Sequence, residues 1–154
     1  MSTKPSPSGR IRHRSASEVV VRVVVAAGLS YDAYAHLDLA ASFDANRALI
    51  SQGMLFRAEA VAAVLAAVLV LFIRHRAAVL FAVLVAGSAL GAILLYRYVD
   101  IGAIGPLPDM YEPSWYPEKT LSAIAEVAAV VAAAALLLIL HRSQAADPHP
   151  TDAG

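Results

Sequence analysis

Four apolar stretches, at 19–39, 54–73, 77–99 and 120–140, dominate this 154-residue chain. Each is long enough to cross a bilayer as a helix, because a hydrocarbon core of ~30 Å needs about 20 residues rising ~1.5 Å apiece. The second and fourth stretches are nearly unbroken Ala, Val and Leu. They are hydrophobic on every face, whereas a helix on the surface of a soluble protein carries one apolar stripe. Apolar residues make up 59% of the chain and charged ones only 16%, too few to coat four such helices with a polar shell. The expected fold is therefore all-α, a four-helix transmembrane bundle with the N-terminus and the C-terminus both cytoplasmic.

The orientation rests on the basic residues. With both ends on one side, that side carries Lys4, Arg10, Arg12, Arg14, Arg22, Arg74, Arg76 and Arg142, against Arg47, Arg57, Arg97 and Lys119 on the other. Basic residues accumulate on the cytoplasmic side. Arg74, His75 and Arg76 form a tight turn between the second and third helices, while 40–53 and 100–119 are longer polar loops outside. Residues 1–17 and 141–154 are expected to be flexible cytoplasmic tails flanking a transmembrane domain at 18–140. The basic start and Ala33-Tyr34-Ala35 imitate a cleaved signal peptide, but Arg22 interrupts the apolar run and argues for a retained helix. Tyr96, Tyr98, Tyr111, Trp115 and Tyr116 fit an aromatic belt at the outer interface.

Charged side chains within a bilayer cost roughly 2.5–3.5 kcal/mol each on insertion scales, so their positions carry information. Asp32, Glu59 and Glu126 fall at one depth, ~8–10 Å below the outer face at ~1.5 Å per residue. His36, Arg57 and Arg97 lie slightly further out. Asp32 and His36 are one turn apart and can hydrogen-bond directly. Glu118, Ser122 and Glu126 make a polar stripe that runs into Ala129 and Ala133, and Gly87 and Gly91 form a small-xxx-small pair; both point to close helix packing. Arg22 is the one charge in the inner half, where it is expected to snorkel.

Two readings fit this layer. In one, Asp32, His36, Glu59 and Glu126 line a pocket open to the outside, roofed by loop 100–119, that binds a ligand, cation or proton. In the other, Arg57 and Arg97 neutralise the acids in a salt-bridge network that fixes the bundle. The four candidate residues also offer oxygen and imidazole ligands for a metal, although without a dense motif such as Glu-x-x-His. No cofactor is predicted: His36 lies about a membrane thickness from His75 and His141, too far for bis-histidine haem. The chain has no cysteine and shows no nucleophile–base arrangement or phosphate loop. Loop 100–119, with four prolines, is read as an interfacial anchor or a ligand lid.

The segments 28–39, 50–59 and 109–126 resemble a group of small four-helix integral membrane proteins of high-GC Gram-positive bacteria, and the chain has a looser likeness to DoxX-type proteins in size and layout. The resemblance covers about 18–140 and implies a multi-pass plasma-membrane protein, without implying an activity. The leading expectation is a non-enzymatic envelope accessory or interaction protein whose ionic cluster binds a ligand. A small transporter or cation/proton-binding protein comes second and a quinone-linked oxidoreductase third. The expected partners are the lipid bilayer and another membrane protein or a second copy of the chain. Twelve basic residues balance twelve acidic ones, which gives no field to attract nucleic acid.

Overall fold

Serine hydroxyls start the first two helices. Ser15 accepts from the backbone N–H of Glu18 and Ser51 from that of Met54, each satisfying a donor that a helix leaves unpaired at its first turn. The His75 ring does the same for Ala77 N–H at the third helix, and Pro117 opens the fourth, where its missing N–H costs nothing. The resulting elements are α1 (Ala16–Ala40), α2 (Gln52–Phe72), α3 (Arg76–Tyr98) and α4 (Pro117–Ala145). They come from a computed structural model that describes residues 15–145. The expected tails at 1–14 and 146–154 lie outside the described residues, whereas 16–17 and 141–145 are helical rather than tail.

The chain is all-helical. α1 packs on α2 and α4, α3 packs on the same two, and α1 barely meets α3 across the middle. The helices thus form a ring in chain order. At one end, the turn end, residues 73–75 join α2 to α3. At the other, the loop end, 41–51 and 99–116 make the longer connections and are tied together. Ile50 N–H donates to Pro106 O at 3.0 Å, and the Asn46 side-chain amide donates to Asp109 O at 2.7 Å.

Three helices, α2, α3 and α4, are long and apolar enough to cross a membrane. α1 has 25 residues but also Glu18, Arg22, Asp32 and Asp38, which keep it out of that set. The core has the character expected of a membrane bundle. Its buried side chains are mostly small, including Ala60, Ala63, Ala67, Ala82, Ala86, Ala129 and Ala133, while Val61, Leu65, Phe72, Leu84 and Val131 face outward. In lipid, exposed Leu and Val carry no penalty, and small residues inside let backbones approach.

α1 and α4 approach closely at Gly28. A Cβ on Gly28 would sit 2.8 Å from Ala125 O and 3.0 Å from Ala129 Cβ, so a side chain there would push the helices apart. The polar stripe of α4 does run into this packing surface, as expected. Gly87 and Gly91 do not pack: a Cβ on either meets nothing within 4 Å, because both lie on the outward face of α3.

Candidate functional site

At the loop end the bundle encloses a cavity of about 310 Å³. α1 contributes Ala35, His36 and Leu39, α2 contributes Leu55, Phe56 and Glu59, and α3 contributes Ser88, Ala92, Ile93 and Tyr96. α4 adds Glu118, Lys119 and Ser122, and loop residues Met110, Glu112 and Tyr116 form the roof. The loop therefore covers the cavity, and Tyr111 and Trp115 remain exposed beside it. Its position is fixed by Glu112 N–H donating to Tyr96 O at 3.0 Å and by Lys119 Nζ donating to Glu112 O at 2.6 Å.

Of the four candidate residues, His36 and Glu59 face the cavity, while Asp32 and Glu126 lie behind its wall, both 0% exposed. His36 Nδ1 lies 3.0 Å from the Asp32 carbonyl and 2.9 Å from Asp32 Oδ1. The expected Asp32–His36 contact forms, but the aligned hydrogen bond goes to the carbonyl. Both Asp32 carboxylate oxygens are left without a hydrogen-bond partner among the described residues. The Asp32 and Glu126 carboxyls meet within hydrogen-bonding reach, and Glu59 is near enough to feel both charges. Ser122, which lines the cavity, donates to Glu126 Oε1 at 2.9 Å, leaving Glu126 Oε2 and Glu59 Oε1 buried and unpartnered.

The arginines expected to neutralise this layer are elsewhere. Arg57 makes a bidentate pair with Asp44 at 2.7 and 2.8 Å on the exposed surface of loop 41–51. It holds the Asp44 carboxyl below the ordinary aspartate value, chiefly through those hydrogen bonds. Arg97 lies over the rings of Tyr98 and Trp115, 5.1 and 5.8 Å from their centroids. The salt-bridge network with Arg57 and Arg97 is thus corrected to an acid cluster that neither joins. The metal set is corrected too: among the described residues, no three His, Asp or Glu side chains stand close enough to hold an ion together.

A second ionic cluster lies at the turn end. Arg22 is 1% exposed and does not snorkel. Its Nε donates to Glu18 Oε1 at 3.1 Å, and its Nη1 donates to the carbonyls of Val70 and Ile73. Arg74 reaches the other Glu18 oxygen at 2.9 Å. Arg22 therefore caps the end of α2, whose last carbonyls have no partner within the helix. The spacing of Glu18 and Arg22, four residues apart, was the available sequence signal for this pair.

Chemically, the loop-end cluster is a set of acceptors short of donors. A carboxylate oxygen accepts and never donates, so the oxygens of Asp32, Glu59 and Glu126 call for N–H or O–H donors, which a proton shared between the Asp32 and Glu126 carboxyls and a group in the cavity at Glu59 can supply. No protein family, curated protein or solved structure matches the chain, so a functional reading rests on this geometry.

Proposed function

We propose that this is a small multi-pass plasma-membrane protein that binds a positively charged species in its loop-end pocket, acting by binding rather than by catalysis. One observation carries the reading: Asp32, Glu59 and Glu126 retain buried oxygens without a hydrogen-bond partner, while Arg57 pairs with Asp44 and Arg97 lies over the Tyr98 and Trp115 rings rather than on the acids. A carboxyl oxygen buried without a donor is costly, so a donor that reaches this layer would stabilise the bundle. In this reading α1 is a fourth span that tolerates its charges because they face protein, not lipid. Both termini are cytoplasmic and the pocket opens outward, the topology implied by the basic-residue bias and by the resemblance to small four-helix proteins.

The test is a titration of the full-length protein in detergent with methylammonium chloride, followed by its melting temperature. A saturable rise is expected in the wild type and not in Glu59→Gln. If methylammonium, sodium and calcium all leave the wild type without a saturable response, the pocket does not bind cations and the reading fails.

A further inference from the structure

We infer that the ligand is a protonated primary amine carrying a compact apolar body, with its ammonium at Glu59 and its body against the aromatic wall of the cavity. The inference rests on the cation-binding reading above and gives that cation its chemistry. Three features lead to it.

The first is the lining. A bare inorganic ion needs a shell of oxygen ligands, yet the cavity walls are mainly apolar and no three ligating side chains converge on one point. About 310 Å³ is also far larger than an ion and lies within the ordinary range for small organic ligands. The second is the aromatic wall. Phe56 packs edge-on to His36 at 5.1 Å and against Phe43 at 5.2 Å, a rigid surface close to Glu59 that suits both an apolar body and a cation over a ring face.

The third is the hydrogen-bond deficit. Glu59 brings a carboxylate to the cavity lining, and a primary ammonium supplies the N–H donor it calls for where a quaternary ammonium does not. The Ser122 hydroxyl beside the cavity donates to Glu126, so its own oxygen is free to accept another N–H. The charges facing the cavity agree. Glu59, Glu112 and Glu118 stand against Lys119, whose Nζ is tied to Glu112 O and Ser114 O and lies over the Trp115 and Tyr116 rings, and His36, whose Nδ1 is turned to Asp32.

The experiment compares phenethylamine, methylammonium and 2-phenylethanol on the full-length protein in detergent. It reads calorimetric binding and the fluorescence of Trp115, the chain's single tryptophan, exposed beside the roof. Phenethylamine is expected to bind at least tenfold more tightly than methylammonium and to lose that advantage in Phe56→Ala. The neutral alcohol is expected not to bind. If phenethylamine binds no better than methylammonium, the amine proposal falls and the cation reading stands. If 2-phenylethanol binds as well as phenethylamine, or Glu59→Gln binds both amines normally, the charge is not recognised and both fall.

Discussion

Single side chains at the loop end decide whether charge is satisfied within the protein or waits for a ligand. Arg57 is the instructive case. Depth counting along α2 places it near the acid layer, but depth says nothing of the direction in which a side chain leaves its helix. Loop 41–51 folds back over the start of α2 and offers Asp44 first, at 2.7 Å. Because Arg57 holds the Asp44 carboxyl below its ordinary value, the pair contributes stability above about pH 4 that is lost as pH falls through the lowered value. The melting-temperature difference between wild type and Arg57→Gln should therefore be small at neutral pH, since the pair is exposed, and should vanish in acid. An NMR titration of Asp44 should show its midpoint rising to the ordinary value in the variant. The shared level of Asp32, Glu59 and Glu126 was legible because helical rise is fixed; that Arg57 pairs elsewhere depends on a loop fold that no spacing encodes.

At the scale of helices, the same substitution should have opposite effects at two glycines. Gly28→Ala places a methyl against the Ala125 carbonyl and Ala129, which forces α1 from α4 at roughly 1–3 kcal/mol. Gly87→Ala meets nothing and should gain up to about 1 kcal/mol from helix propensity. Melting temperatures of the two variants in one detergent check the pair of signs. A Gly-xxx-Gly spacing does not say which way its helix face points, whereas the α4 stripe ending in Ala129 and Ala133 was readable because polar and small residues share one face. At the turn end, Arg22→Met leaves Glu18 with only part of its charge compensation and uncaps α2. It should cost about 3 kcal/mol, read as loss of the folded form in thermal melts. Snorkelling was the expectation for Arg22 because its spacing reveals Glu18 but not the α2 carbonyls, which only tertiary packing brings to it.

The whole molecule places small residues inside and large aliphatics outside, a pattern that lipid tolerates and water does not. Four helices and their tight turn were legible from hydropathy and length. The helix ends were less so: Ala16 and Pro117 start α1 and α4 three residues before their apolar runs. Sidedness has a clean test, because the chain has no cysteine and any introduced one is the sole reporter. With four spans and cytoplasmic termini, Ser42→Cys and Ser114→Cys react with an impermeant maleimide in intact cells. Ser17→Cys should react only after permeabilisation; its labelling in intact cells would reverse or break the topology.

The acid surplus itself is tested most directly by parallel melting curves of Glu59→Gln, Glu126→Gln and wild type in detergent without added ligand. A glutamine at 126 keeps an acceptor for Ser122 and gains an N–H for Asp32, a change worth on the order of 1 kcal/mol. Both variants are expected to stay folded and to melt at or above the wild type. Unfolding of both would mean that these carboxylates hold the bundle together, and that the pocket has no unmet charge to offer a ligand.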